Sequence, residues 1–203
     1  MKLTGICFAG ALSMITASSF AEPYLGVEGG LVKLDANTDK TAGAFTARTR
    51  ASPDITDDTW TGFGRMVLGK KLNEDIALEL GIFFSDAGRI AYSGARVTSS
   101  EKISAEGLDF SLRYHIFSSS FFLRGGIHYS RLHRSGTAIE SVLRFSDSQT
   151  QSGTGFLAGF GYEHTVMSSA NDFLSIEYKY YDRIGGDRKA DARVIALGYR
   201  RQF

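Results

Sequence analysis

The sequence has one cysteine, two prolines and no long apolar run, and each scarcity excludes a class of protein. The single cysteine, Cys7, lies near the N-terminus, so the rest of the chain has no disulfide and no thiol-based catalytic or metal site. No apolar stretch reaches the roughly 20 residues of a transmembrane helix. The 23 basic and 22 acidic residues nearly cancel, which argues against a nucleic-acid-binding protein. Glycine and aromatic residues, in contrast, are plentiful.

The first 21 residues resemble an export signal. Lys2 precedes a short apolar stretch from Ile6 to Ile15, and Ser19 and Ala21 lie three residues and one residue before a cleavage point at Glu22. We therefore predict a secretory signal peptide over residues 1–21 and one domain over residues 22–203. A retained helical anchor is the alternative, but the apolar stretch is short for one. Without Lys2, 22 basic residues balance 22 acidic residues.

The last eleven residues alternate in polarity with a period of two, which predicts a β-strand. Ile195, Leu197, Tyr199 and Phe203 share one face, and the opposite face has small or polar residues that include Arg200. In a barrel within a bilayer the apolar face points outward, and glycine and charged residues point inward.

Seven further segments show the same alternation, over residues 23–34, 61–72, 75–84, 103–117, 121–132, 155–166 and 173–182. Short connections, such as residues 73–75 and 118–120, alternate with long ones. The sequence therefore predicts an all-β protein, an eight-stranded antiparallel up-and-down transmembrane β-barrel. We expect three long extracellular loops, at about 35–59, 85–102 and 133–152, with the short turns and both termini in the periplasm.

The inward faces of these strands have five acidic and five basic residues, with His128 nearby. The bore of an eight-stranded barrel is only wide enough for side chains, so we expect these groups to pair and fill it. The predicted lumen network is Glu28, Arg65, Glu79, Asp109, Arg113, Arg124, Glu163, Glu177, Lys179 and Arg200. The alternative is a narrow ion path in which some of these pairs exchange partners.

Catalytic, metal and cofactor sites are poorly supported. His128, Ser130 and His133, with Glu140 or Asp147, have the residue types of a lipid A-modifying enzyme, and His115 precedes Ser118 by three residues. No motif of such enzymes surrounds either set, so we predict no catalytic residue. The acidic residues Asp54, Asp57 and Asp58 lack the spacing and glycine of a calcium loop, and we predict no metal and no cofactor.

The outward aromatic residues are typical of interfacial girdles in a membrane barrel. They are Tyr24, Tyr114, Tyr162, Tyr178, Tyr180, Tyr199 and Phe203. Basic residues in the long loops could contact lipopolysaccharide phosphates. They are Arg89, Arg96, Lys102, Arg131, Arg134 and Arg144.

Three motifs, ALELGIFF at 77–84, IEYKYYD at 176–182 and LGYRRQF at 197–203, resemble strands of the small eight-stranded barrels grouped with the OmpA transmembrane domain and the opacity-type surface proteins. The resemblance implies an assembly signal, Tyr199 and Phe203, that is read by the barrel-assembly machinery. Arg201 departs from that signature, which usually has an apolar residue there. The resemblance also implies that small conductances occur in some relatives.

The leading hypothesis is a non-enzymatic barrel of the bacterial outer membrane that presents surface loops in adhesion, host interaction or envelope integrity. Its partners would be outer-membrane lipid, lipopolysaccharide, the assembly machinery and an unidentified surface ligand, without nucleic acid. The alternatives are a narrow channel for ions or small solutes and, with less support, a lipid A-modifying enzyme. A soluble lipocalin-like barrel would expose the glycines and charged residues and crowd its lumen with aromatics, which disfavours it.

Overall fold

The fold is described from a computed structural model over residues 22–35, 54–58, 60–93, 97–140, 143–166 and 171–203. The predicted signal peptide lies outside these residues. The strands are β1 (Pro23–Asp35), β2 (Asp54–Asp58), β3 (Trp60–Lys71), β4 (Ile76–Ser85), β5 (Gly88–Ser93), β6 (Val97–His115), β7 (Phe121–Glu140), β8 (Leu143–Thr165), β9 (Asp172–Tyr181) and β10 (Asp191–Gln202). In this part of the chain no helix is long and apolar enough to cross a membrane.

Eight of the strands form a closed antiparallel barrel. The order around the wall is β1, β3, β4, β6, β7, β8, β9 and β10, and β10 pairs with β1 to close it. This confirms the predicted fold class. Each strand pairs with its neighbour along the chain, which is the up-and-down arrangement.

Alternating side chains divide the wall into two faces, as the sequence pattern predicts. On β10 the even-numbered residues from Ala192 to Arg200 are buried, whereas Ile195, Leu197 and Tyr199 are exposed. The other barrel strands repeat this division, with leucine, isoleucine and phenylalanine outward. An outward apolar belt around a charged interior is the arrangement of a barrel surrounded by lipid.

The two ends of the barrel differ in the length of their connections. At one end, here called the short-turn end, lie both barrel termini and the turns at residues 72–75 and 116–120. The Asn73 side chain accepts hydrogen bonds from the backbone N–H groups of Asp75 and Ile76, at 3.0 and 2.7 Å, which closes the β3–β4 turn. The opposite end is called the long-link end.

Much of the sequence that is predicted to form long loops is β-structure. In the range 85–102 lie β5 and the start of β6, and in the range 133–152 β7 continues to Glu140 and β8 begins at Leu143. Beyond the barrel, β2, β5 and the adjoining parts of β6 (residues 97–106), β7 (131–140) and β8 (143–152) pair side by side. We call this five-stranded feature the extension sheet. Of the loop expected at 35–59, residues 36–53 lie outside the described residues.

Candidate functional site: the filled interior and the extension sheet

Arg65, on β3, is the hub of the buried charges at mid-barrel. Its Nε and Nη2 donate hydrogen bonds to the two carboxylate oxygens of Asp109, at 2.8 and 2.6 Å. Its Nη1 donates to Glu28 at 2.8 Å, and Lys179 pairs with the other Glu28 oxygen. The Arg65 side chain is fully buried. Because an unpaired charge at such a position costs several kcal/mol, these contacts are needed for the barrel to fold around it.

Arg124 extends the network across the bore. Its Nε and Nη2 donate to the two oxygens of Glu177, at 2.5 and 3.0 Å, and its Nη1 donates to Glu79. The same Nη1 lies 3.2 Å from the Ser111 hydroxyl. Bidentate arginine–carboxylate pairs are the geometrically specific kind of ion pair, so this contact fixes the position of both side chains.

A second cluster lies toward the short-turn end. Arg113 and Arg200 both donate to Glu163, with an Arg113 Nη2 distance of 2.5 Å, and His115 Nε2 lies 3.4 Å from the same carboxylate. Arg113 also lies 3.7 Å from Glu79, which joins this cluster to mid-barrel. The ten charged residues that the sequence places inside therefore lie in one continuous network, in which each touches an opposite charge: Glu28, Arg65, Glu79, Asp109, Arg113, Arg124, Glu163, Glu177, Lys179 and Arg200.

An apolar layer fills the bore at the long-link end. The rings of Phe83 and Tyr181 lie 4.9 Å apart, and Phe63 stacks on Phe83 at 6.5 Å. The His128 ring packs against Tyr181 at 5.4 Å, and its Nε2 lies 2.7 Å from the carbonyl oxygen of Asp182. The layer continues into the extension sheet through buried aliphatic and aromatic side chains, which include Val32, Leu34, Ile90, Tyr92, Ile103, Leu132, Leu157, Ile184 and Val194.

The β9–β10 link folds inward and covers this layer. Its 3₁₀ turn, Ile184–Gly186, buries Ile184, and the backbone N–H of Gly185 donates to the Ser130 hydroxyl at 2.8 Å. Gly185 has a φ of +68°, and a Cβ there would lie 2.7 Å from the Cβ of Leu132. Glycine is needed at this position for both reasons.

Tyr24, predicted to lie in the outward aromatic girdle, instead points into the barrel. Its side chain is buried and its hydroxyl donates to Glu79 at 2.7 Å. The alternation of β1 places Tyr24 on the same face as Glu28, and that pattern was the available signal. The alternation of their strands likewise assigns inward positions to Phe63, Phe83 and Tyr181. It does not predict that these three rings contact one another, because that depends on the stagger of the strands.

The residues on β7 that were considered for catalysis do not come together, whereas His115 and Ser118 both lie in the wall of one cavity at the short-turn end. His128 and Ser130 lie on the inner face of β7, whereas His133 lies on its outer face, where it contacts Thr150 and Glu106 at 3.1 and 3.5 Å. The barrel wall therefore separates them. The side chains of Glu140 and Asp147 lie outside the described part of the structure. Among the described residues no group of three His, Cys, Asp or Glu side chains is placed to hold a metal ion.

The outer face of the extension sheet contains exposed basic side chains. Arg89 on β5 and Lys102 on β6 lie directly opposite each other, and Arg131 on β7 lies 3.8 Å from Glu106. Arg134, expected in a surface loop, instead points inward and pairs with Glu101 at 2.5 Å. Arg96 and the side chain of Arg144 lie outside the described residues.

At the short-turn end, Asp172 holds the end of β10 to β9. It accepts a hydrogen bond from the Tyr199 hydroxyl at 2.8 Å and lies 3.9 Å from the Arg201 guanidinium. Arg201 thus has an acidic partner on the outer surface, which accommodates a charge where an apolar residue is usual. Phe203 is 66% exposed.

A family model for the outer membrane protein beta-barrel domain matches residues 3–203. The chain belongs to this family. It is a barrel of the bacterial outer membrane, and its outward apolar belt faces lipid. The resemblance to small outer-membrane barrels inferred from the sequence is confirmed.

Several solved structures are similar to this chain, and one of them, at a TM-score of 0.50, shows the same fold. The structure of Ail, the attachment invasion locus protein of Yersinia pestis, in complex with the heparin analogue sucrose octasulfate is 10% identical, with a TM-score of 0.50, over 90% of this chain and 99% of that one. The Neisserial surface protein A is 16% identical, with a TM-score of 0.46, over 90% and 99%. OprG from Pseudomonas aeruginosa is 10% identical, with a TM-score of 0.46, over 87% and 95%. No curated protein sequence matches the chain.

Proposed function

We propose that this outer-membrane barrel is neither an enzyme nor a channel, and that its extension sheet binds an anionic saccharide at the cell surface, in adhesion, host interaction or envelope integrity. The observation that supports this proposal is the filled interior. Paired charges occupy mid-barrel, and the layer around Phe83 and Tyr181 occupies the long-link end. A bore filled in this way leaves the outer surface as the part available to a partner.

In this proposal the extension sheet lies on the extracellular side of the membrane. Short turns of outer-membrane barrels face the periplasm and longer connections face the outside. On β7 the last outward aromatic residue of the apolar belt is Tyr129, and Arg131 follows it by two residues. Arg131 and Glu106 then lie at the level of the outer headgroups. On β6, Lys102 precedes Glu106 by four residues. It therefore lies about 13 Å farther from the membrane than Glu106 does.

Arg89 and Lys102 are the residues that we assign to ligand binding. Like charges directly opposite each other in a sheet destabilise it. Two other basic pairs lie directly opposite each other, Lys33 with Arg193 and Arg113 with Arg124. Asp35 lies between the first two, at 3.8 and 3.4 Å, and Glu79 contacts both arginines of the other pair. For Arg89 the backbone register places Asp58 of β2 directly opposite on its other side, and the Asp58 side chain lies outside the described structure. Lys102 has no carboxylate within ion-pair distance among the described side chains, and we assign an external anion to the remaining positive charge of this pair.

An anionic saccharide suits this surface. Sulfate and phosphate groups accept charge-assisted hydrogen bonds from arginine and lysine. Sucrose octasulfate, the ligand named for the Ail structure, is such a molecule. For this chain the polyanion would be a sulfated glycan outside the cell or the phosphorylated saccharide of lipopolysaccharide.

The test is binding of the barrel, refolded in nanodiscs, to immobilised heparin and to lipopolysaccharide. We expect Arg89→Gln with Lys102→Gln to weaken binding about tenfold, equivalent to about 1.4 kcal/mol, and salt to weaken it further. The matched control is Lys33→Gln with Arg193→Gln, which removes the same number of charges and should change affinity less than about twofold. Equal weakening by both double variants, or no binding to either polyanion at low salt, would reject the assignment.

Two further measurements separate the alternatives. Steady unit conductance in planar bilayers, over a range of salt and voltage, would contradict a closed interior and favour the channel. Mass spectrometry of lipid A from cells with and without the protein should show no difference, because His133 is separated from His128 and Ser130 by the barrel wall. A new lipid A species would overturn the non-enzymatic proposal.

A further inference from the structure

We infer that a cavity at the short-turn end of the barrel binds a small oxyanion such as a carboxylate or a phosphate. The filled interior separates this cavity from the extension sheet. The cavity has a volume of about 180 Å³, which is room for roughly six water molecules. Its wall includes Lys71, His115 and Arg200, the turn residues 118–120, and the carboxylates of Glu74 and Glu163. The site is independent of the surface proposed for saccharides.

Arg200 is the residue on which the inference chiefly rests. Its side chain is 93% buried, and the guanidinium carbon lies 4.7 Å from the Tyr24 ring centre and 4.3 Å from that of Phe173. Nε and Nη2 both donate to Glu163, but Nη1 has no hydrogen-bond partner within the described structure. Arg200 lines the cavity, and a guanidinium N–H without an acceptor is costly, so a bound anion that reached Nη1 after a small movement of the side chain would satisfy it.

The charge balance of the wall favours an anion. Glu163 is already neutralised by Arg113 and Arg200. Lys71 lies with its Nζ 5.9 Å from the Phe173 ring centre, and in the described part of the chain no carboxylate is within ion-pair distance of it. The remaining carboxylate, Glu74, is exposed on the β3–β4 turn. A ligand carboxylate or phosphate would therefore meet the positive charge of Lys71, which is not neutralised by a described carboxylate, beside the Arg200 guanidinium that is paired with Glu163.

Serine hydroxyls complete the polar wall. Ser118 donates its hydroxyl to Asp75 at 2.9 Å, and Ser119 accepts from the N–H of Phe121 at 3.2 Å, so both side chains are held by the turn. Ser120 lies beside them in the wall of the cavity. Because the Ser118 hydroxyl proton is already donated to Asp75, the hydroxyls of Ser119 and Ser120 are the ones left to donate to an oxyanion, as arginine and lysine side chains also do. His115, Glu163 and Arg200 point into the barrel. A solute that enters the barrel at its short-turn end therefore reaches them more directly than a lipid headgroup outside the wall.

The experiment uses the refolded full-length barrel in maltoside micelles, which contain no phosphate. Sodium acetate and inorganic phosphate are titrated while amide signals of residues 118–120 and the Arg200 side-chain signals are followed by NMR. We expect saturable shifts in the millimolar range, at least fivefold weaker in Lys71→Gln. Arg200→Lys should lose the response while it keeps a positive charge beside Glu163. Lys33→Gln, at the other end, is the control and should behave as the unmodified protein.

Three outcomes would overturn the inference: shifts that grow linearly without saturation, an unchanged affinity in Lys71→Gln, or equal effects of Lys71→Gln and Lys33→Gln. Gel mobility before and after boiling verifies that each variant is folded. Repeating the acetate titration in nanodiscs of phosphatidylcholine and of phosphatidylglycerol identifies the source of the anion. An acetate affinity that is lower in either nanodisc than in maltoside micelles would make the lipid phosphate the ligand, and equal affinities in micelles and in both nanodiscs would make it a soluble anion.

Discussion

Arg65 and Asp109 form a bidentate ion pair at the centre of the barrel, with N–O distances of 2.8 and 2.6 Å and no solvent exposure of either side chain. They lie on β3 and β6, which are separated in the wall by β4. The pair therefore bridges two strands that do not pair directly, as does the pair between Arg124 and Glu177 across β8. Opposite parts of the wall are joined by Arg124 on β7 and Glu28 on β1, 3.6 Å apart.

Removal of Arg65 should strongly destabilise the barrel. Arg65→Met leaves Asp109 buried without its cation and weakens the environment of Glu28. Breaking a buried pair by removing one partner costs about 3–5 kcal/mol. The free energy of unfolding can be measured by urea titration in lipid, followed by the fluorescence of Trp60, the single tryptophan.

The control for that measurement is Arg193→Met. Arg193 pairs with Asp35 at 3.4 Å on an exposed surface, and exposed pairs contribute about 0–1 kcal/mol. A loss below about 1 kcal/mol in Arg65→Met, comparable to the control, would mean that water or rearranged neighbours replace the guanidinium.

Two adjacent phenylalanines test the assignment of the two faces. Phe83 is 3% exposed within the apolar layer, and Phe84 is 55% exposed on the outer surface. Phe83→Ala should cost about 3–5 kcal/mol, because it leaves a cavity between Phe63 and Tyr181. Phe84→Ala should cost less than half as much, because lipid replaces the lost ring. The same urea titration compares them, and equal costs would contradict the assigned faces.

The sequence predicts the barrel itself well, because a period of two assigns each side chain to one face. That rule alone placed the ten charged residues inside. It could not say that Arg65 meets Asp109 or that Arg113 meets Glu163, because those contacts depend on the stagger of strands that are distant in the chain.

The extension sheet was missed for a different reason. Residues 85–102 and 133–152 are rich in serine, glycine and charged residues, which are typical of loops. Yet Ile90 and Tyr92 alternate with Arg89, Ala91 and Ser93, and both are buried. That short alternation was the available signal. It was too weak to distinguish a strand that pairs beyond the membrane from a solvated loop.

Ser130 should be needed to hold the inward turn over the apolar layer. Its hydroxyl accepts the buried N–H of Gly185 at 2.8 Å, so Ser130→Ala leaves that donor without a partner, at a cost of about 1–3 kcal/mol. Ser135→Ala, at an exposed position on the same strand, should have almost no effect. Hydrogen exchange of the Gly185 amide provides the specific readout. An exchange rate unchanged in Ser130→Ala would show that the turn does not depend on this bond.

The orientation of the barrel can be tested by single cysteines. Since Cys7 lies in the predicted signal peptide, the exported protein should have no thiol. We expect Ser135→Cys, on the extension sheet, to react on intact cells with a maleimide too large to cross the outer membrane. Glu74→Cys, on a short turn, should react only after permeabilisation. Labelling of Glu74→Cys alone on intact cells would reverse the orientation and remove the extension sheet from the cell surface.

The C-terminal phenylalanine should act in assembly and contribute little to the stability of the finished barrel. Phe203 is 66% exposed, and its backbone N–H donates to the carbonyl oxygen of Pro23 at 2.9 Å, a bond that any residue could make. Phe203→Ala should therefore leave the urea midpoint of the refolded protein almost unchanged, because the substitution removes no buried contact. In cells it should lower the amount of heat-modifiable protein in the outer membrane several-fold. Tyr199→Phe is the companion variant, because it keeps the aromatic ring and loses only the hydrogen bond to Asp172; it should assemble normally. If Phe203→Ala assembled as well as the unmodified chain, or if its deficit in cells matched an equal loss of stability after refolding, Phe203 would not be an assembly signal.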